Sequence, residues 1–208
     1  MEYLPLIGTV ALLNLLAAVS PGPDFVMTVR NSLVYSRRSG IFTSLGISTA
    51  LGIHLFYCAA GVGYLISKSV ILFSLIKFLG SGYLIYMGIT SIMAKGSKID
   101  LKEVQSGIDL TRFQAFRMGF LTNVLNPKAT LFFLSLFTFV IGNSTPIYII
   151  IVISVIIIFT AFIWFTIVSI FLAQQNIQRV FLKYERTINC TLGGFLILLG
   201  VKIAFLIQ

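Results

Sequence analysis

From residue 40 to residue 66 the chain carries no Asp, Glu, Lys or Arg, and the same holds for 78–94 and 146–173. Runs of this kind decide the solvent. A helix of about 20 apolar residues covers the ~30 Å hydrocarbon core of a bilayer, whereas soluble domains carry about 25% charged residues. Here 10% of 208 residues are charged, only six of them acidic, and the mean hydropathy is +1.01. Three more runs complete the pattern: 4–29 with Asp24 as its one charge, 113–141 with Arg117 and Lys128, and 188–207 with Lys202. The expected fold is an all-α polytopic membrane protein of six transmembrane helices lying in the lipid bilayer.

The net charge of +9 would raise nucleic acid as a partner for a soluble chain, but the basic residues fall in short gaps between the runs. Membrane orientation accounts for that placement, and no nucleic-acid partner is expected. Arg30, Arg37 and Arg38 fall in the first gap, Lys95, Lys98, Lys102 and Arg112 in the third, and Arg179, Lys183 and Arg186 in the fifth. The second gap has Lys68 and Lys77 in or beside it; the fourth has no basic residue. Cytoplasmic loops are the Lys/Arg-rich ones, so the odd loops are expected in the cytoplasm and both termini in the periplasm of a bacterial inner membrane. The start Met1-Glu2-Tyr3 lacks the basic stretch of a cleavable signal. Cys58 and Cys190 lie inside apolar runs without metal or CxxC spacing and read as buried, reduced side chains.

The third gap is the one loop long and polar enough to divide the chain, giving a first three-helix unit at 1–94, a connecting cytoplasmic loop at 95–112 and a second unit at 113–208. The halves resemble each other. Ser81-Gly82-Tyr83-Leu84-Ile85-Tyr86-Met87-Gly88 aligns with Gly193-Gly194-Phe195-Leu196-Ile197-Leu198-Leu199-Gly200, and Ser20-Pro21 with Asn126-Pro127 at nearly the same offset. Three is odd, so a duplicated unit enters the membrane from the opposite side: two inverted three-helix repeats, with helices 1 and 4 broken.

Proline ends or kinks a helix, and in hydrocarbon the freed backbone groups need protein or a polar cavity. Broken helices at matched positions therefore point to a transport site. Each break carries a charge, Asp24 in one and Lys128 in the other. Because an ionised group at mid-membrane costs ~2.5–3.5 kcal/mol on insertion scales, it faces the interior and seeks a partner. The two can pair with each other, or they can hold the ammonium and carboxylate of a zwitterion between them. Helices restarting after Pro23 and Pro127 would add positive partial charge suited to a carboxylate. Asp24 can also take up a proton, and His54, the one histidine, is a candidate relay. Asn14 and Asn123 read most simply as interhelical hydrogen-bond formers. The small-residue series Gly40, Ser44, Gly46, Ser48 and Gly52 permits close helix packing.

Ser20-Pro21-Gly22-Pro23-Asp24, then Arg30-Asn31-Ser32, Arg37-Arg38-Ser39-Gly40 and Leu45-Gly46-Ile47, resemble the LysE/RhtB family of amino-acid exporters. Phe120-Leu121-Thr122-Asn123-Val124-Leu125-Asn126-Pro127-Lys128-Ala129 is similar to that family's second signature, and Gly82–Gly88 to its third-helix element. The resemblance implies a secondary exporter of amino acids or related small zwitterions, energised by proton antiport and needing no cofactor. The positions it implicates are Pro21, Gly22, Pro23, Asp24, Asn123, Asn126, Pro127 and Lys128. The exported compound and the oligomeric state, including a homo-oligomer, stay open.

Other readings fare less well. No GxxxxGK[ST], GxSxG or HExxH motif is present, so ATP coupling and enzymatic activity are not expected. A metal transporter wants clustered acidic, His or Cys residues in its spans, where this chain offers Asp24, His54 and two separated cysteines. A membrane thiol-redox relay wants a cysteine at each broken-helix proline, and those places hold Ser20 and Asn126.

Overall fold

The computed structural model describes residues 3–20, 22–94, 109–140, 145–171 and 174–205. Within these, regular structure is entirely helical: α1 (Leu4–Val19), α2 (Pro23–Val34), α3 (Arg37–Lys68), α4 (Val70–Met93), α5 (Arg112–Val124), α6 (Pro127–Val140), α7 (Ile147–Phe171) and α8 (Gln175–Phe205). Long segments of α3, α4, α7 and α8 are each apolar enough to cross a membrane, and α1 with α2 makes a fifth candidate span bent by 58°. The run 113–141 is α5 and α6, interrupted at Leu125 and Asn126. It does not count among the candidate spans because neither half is long enough to cross alone: α5 has 13 residues and α6 has 14.

Helix ends differ from the hydropathy boundaries where charged residues stay helical beyond the apolar core. Arg30 lies in α2, Lys77 in α4, and Arg179, Lys183 and Arg186 in α8, so these positions are helical extensions and not loops. The second gap shrinks to one residue, Ser69. Of the expected connecting loop 95–112, residues 95–108 lie outside the described residues. Its end forms a capping box, in which Thr111 accepts from the Gln114 amide at 3.2 Å while the Gln114 side chain accepts from the Thr111 amide at 2.9 Å.

Lipid offers no hydrophobic drive for helix pairing, so close approach relies on small residues and polar contacts. Three seams show this. A Cβ on Gly46 would strike the Phe116 carbonyl and one on Gly119 the Thr43 carbonyl, which brings α3 and α5 nearly backbone to backbone. The α4–α8 seam is reciprocal: a Cβ on Gly88 would meet the Gly193 carbonyl and one on Gly193 the Gly88 carbonyl, while Gly200 faces Ser81 and Ile85. Gly40 abuts Ser32 and Ser169, and the Ser44 and Ser169 hydroxyls lie 3.2 Å apart, joining α3 to α7. The small-residue stripe thus packs as expected at Gly40, Ser44 and Gly46; Gly52 meets only the tip of Ile158.

Large apolar side chains are also abundant on the outside, among them Phe56, Ile71, Phe78, Tyr86, Tyr148, Phe159 and Leu198. Outward apolar groups spread over several helices are what a lipid-facing surface requires. The α2–α3 corner is tied to the start of α5: Ser36 and Ser39 each donate to Asp109 at 2.7 Å, and Arg112 stands over the Phe42 ring. The first and third gaps therefore share one side of the molecule.

Candidate functional site

The two breaks meet. In the first, α1 ends at Ser20 and α2 begins at Pro23, with Gly22 as an extended N-cap and Asp24 in the first turn. Proline at the first helical position loses nothing, because its missing N–H would have been unpaired there. In the second, α5 stops before Leu125 and α6 starts at Pro127. Asn126 caps it, its side-chain oxygen accepting from the Lys128 amide at 3.0 Å. The helices expected to restart after Pro23 and Pro127 begin at those prolines themselves; Pro21 lies outside the described residues.

The side chains of the second break hold the carboxylate of the first. Asp24 Oδ2 accepts from Asn123 Nδ2 at 3.0 Å and from Asn126 Nδ2 at 3.1 Å. Its other oxygen, Oδ1, is buried without a donor, and so is Asn123 Oδ1. Lys128 turns to the first break in exchange, its Nζ donating to Ser20 Oγ at 3.3 Å and lying close against Gly22. The ammonium thus bonds the Ser20 hydroxyl rather than Asp24, so the direct-pair alternative is not the arrangement found.

Both charged groups line one cavity, together with Asn14, Ser20, Gly22, Pro23, Asn123 and Asn126. Its remaining wall is apolar, dominated by Phe25, Leu51, Met87, Phe132, Phe133 and Phe165. The positions open to the centre of a water occupy about 60 Å³, several times the roughly 10–15 Å³ one water needs. Asp24 and Lys128 are the charged residues among those that line it. Chemically this is a dipolar pocket: an unpaired carboxylate oxygen and an ammonium share one cavity whose remaining wall is apolar.

Two of the expected site residues, Pro127 and His54, sit elsewhere, whereas Asn14 forms the interhelical hydrogen bonds expected of it. Pro127 is exposed and does not line the cavity. His54 is 1% exposed and lies behind the break, its Nε2 3.0 Å from the Asn123 carbonyl. Asn14 lines the cavity but spends its amide on α7, bonding the Ile157 carbonyl at 3.2 Å and Thr160 Oγ1 at 2.7 Å. Sequence reading overlooked Tyr57 and Thr130, which bond each other and His54. Tyr57 is detectable in retrospect as His54's neighbour at i+3 on one helix face, whereas Thr130 comes from a distant helix and leaves no such trace. The apolar lining of α6 and α7 was equally unmarked, because it reads like any other membrane helix. Among the described residues no group of three or more His, Cys, Asp or Glu is placed to hold a metal ion.

The sequence model of the LysE type translocators matches residues 15–206. The chain belongs to that family. This LysE-type chain is 27% identical over 196 residues to the threonine efflux protein of Escherichia coli K12, covering 94% of this chain and 95% of that protein. It is 32% identical over 135 residues to the homoserine/homoserine lactone efflux protein of Salmonella typhimurium, which covers 65% of this chain and 64% of that one. It is also 30% identical over 192 residues, 88% of this chain and 91% of the other, to the Bacillus subtilis membrane protein YrhP. No solved structure matches the LysE-type chain. It is thus a multi-pass membrane transporter of a family with amino-acid efflux members, and not an enzyme.

Proposed function

We propose that this chain exports a small amino acid or related zwitterion across the bacterial inner membrane in exchange for protons. The observation that carries the reading is that Asp24 and Lys128 line one cavity without bonding each other, while two acceptors beside them, Asp24 Oδ1 and Asn123 Oδ1, are buried without donors. A buried acceptor left unpaired costs about 1–3 kcal/mol, more when charged. A substrate ammonium supplies the missing donors, and Lys128 with the α6 start receives the carboxylate. A proton on Asp24 supplies a donor too, so proton and ammonium compete for one place, which is the elementary requirement of antiport.

The wall beyond the charged pair suits an uncharged side chain. A cationic or acidic one would meet Phe, Leu, Met and Ala with no partner, and an unpaired charge in such surroundings is costly. The named activities of the threonine and homoserine efflux relatives fit this size and polarity.

We further propose six spans, with α1–α2 and α5–α6 each crossing as one broken span, arranged as inverted units 1–94 and 113–208 with both termini periplasmic. The reciprocal Gly88/Gly193 and Gly200/Ser81 contacts support a two-fold relation between the units, and the joined first and third gaps support their common side. Reporter fusions at Gln208 test the orientation; activity of a cytoplasmic reporter there would overturn it. Function is tested by threonine and homoserine export from cells overproducing the protein. Accumulation outside the cells above an Asp24→Asn control is expected, and equal export by the two would refute the site.

A further inference from the structure

Behind the α5–α6 break, on the side away from the cavity, a second polar cluster joins α3 to α6. His54 Nε2 lies 3.0 Å from the Asn123 carbonyl; His54 Nδ1 lies 2.5 Å from the Tyr57 hydroxyl and 3.4 Å from Thr130 Oγ1. Tyr57 and Thr130 are 3.0 Å apart, and Thr130 reaches the Asn126 carbonyl at 3.4 Å. The chain of contacts therefore begins and ends on carbonyls of the two asparagines whose side chains hold Asp24.

A carbonyl can only accept, so Nε2 carries a hydrogen. With neutral His54, Tyr57 donates to Nδ1, Nε2 donates to the Asn123 carbonyl and Thr130 donates to the Asn126 carbonyl. With a proton added at Nδ1, the bond to Tyr57 reverses, and the Tyr57 hydroxyl is released to donate to Thr130. Both ring nitrogens are bonded in either protonation state; the states differ by one proton and by the direction of the Tyr57 hydroxyl, and Thr130 carries that difference to the carbonyl that opens α6.

We propose that Tyr57, His54 and Thr130 form a proton-binding relay that reports protonation of His54 to the asparagines gripping Asp24. This rests on the exporter reading and gives its coupling ion a route. Tyr57 is 39% exposed and sits in the last turns of the 37–62 span, at the end away from Arg37 and Arg38. By the orientation proposed above, that end is periplasmic, where an inward-moving proton starts. The charged groups around the cluster are Asp24 of α2, within electrostatic reach of His54, and Lys128 of α6, which in turn interacts with Asp24. From α6 the ring also meets Phe133; α5 offers the Asn123 carbonyl, and α7 has no charged residue.

His54 is the one histidine, so ¹⁵N-histidine labelling of the protein in nanodiscs gives a single imidazole to follow. The expected spectrum at pH 9 is the Nε2–H tautomer, with conversion to imidazolium on acidification and a displaced Nδ1 resonance in Tyr57→Phe. A Nδ1–H tautomer, a ring that stays neutral to pH 5, or an unchanged Nδ1 signal in Tyr57→Phe would each overturn the relay without touching the exporter reading. In proteoliposomes, His54→Gln and Thr130→Val are expected to bind threonine within about twofold of the parent while losing about tenfold of pH-gradient-driven flux, a typical size for coupling between sites. Binding is read from Trp164, the one tryptophan, whose Nε1 donates to the Ala18 carbonyl at the cavity wall. Unimpaired gradient-driven flux in His54→Gln also overturns the relay. Failure of the parent protein to bind either threonine or homoserine counts against the exporter reading instead, and the imidazole spectrum still decides the relay.

Discussion

The two breaks do the same job with opposite means. At the first, the chain bends by 58°, no side chain caps α2, and an extended glycine lets Lys128 lie against the backbone. At the second, Asn126 seals the turn: its side chain caps α6, and its carbonyl accepts from Ala129 at 3.1 Å and Thr130 at 3.2 Å. One break is open and contributes a charge and a space. The other is internally satisfied and contributes the grip on that charge. A site that must bind and then release gains from such a division, since a capped turn stays put while an uncapped one can adjust.

The comparison breaks first at the charges. Asp24→Asn and Lys128→Ala are expected to insert normally and to lose about a hundredfold or more of export, because truncating one partner of a buried charged contact costs about 2–5 kcal/mol. Full export by either variant, measured as extracellular threonine or homoserine, removes that residue from the site. Asn126→Ala comes next. It deletes a cap worth ~1 kcal/mol and one of two amide donors to Asp24, with about a tenfold loss of export expected for a hydrogen bond to a charged group. Thermal unfolding in detergent should show it less stable than Gly22→Ala.

Gly22→Ala sharpens the contrast from the other side. Its backbone is extended and any residue can adopt it, but the new Cβ would stand 3.4 Å from Lys128 Nζ. Stability should hold while export falls about threefold as the ammonium shifts, a small overpacking effect. Equal loss of stability in the two alanine variants would erase the distinction between open and sealed breaks. The smallest effect is expected at Asp109. The Ser36 and Ser39 hydroxyls hold its carboxyl below the usual carboxylate range. With the folded value depressed, the tie is fully present above the ordinary aspartate value of about 3.9 and is lost as pH falls through the lower folded one. Because the group is exposed and screened, Asp109→Asn should cost no more than about 0.5 kcal/mol at pH 7, a difference that thermal unfolding should lose in strong acid.

Much of this was legible in one dimension because proline and charge act locally. Pro23 and Pro127 fix where a helix can begin, and Asp24 and Lys128 are conspicuous in runs without other charge, so both breaks and their polar side chains could be named beforehand. The glycine seams were legible as small-residue spacing, though not which helix each would meet. What stayed hidden is of two kinds. Helix α8 runs thirteen residues beyond the apolar stretch at its start because basic residues remain helical outside hydrocarbon, and hydropathy senses lipid, not hydrogen bonding. Thr130 and the cavity's phenylalanines draw their meaning from neighbours brought in by tertiary packing, which no local pattern encodes.

One small feature reaches further than its size. Between α3 and α4 only Ser69 intervenes, so the corner has almost no slack. A tilt of α3 that opens or closes the cavity must carry α4 with it, and α4 in turn grips α8 where Gly88 and Gly193 touch. The far wall of the protein is mechanically geared to the near one, and a longer hinge at residue 69 would let one turn while the other idles.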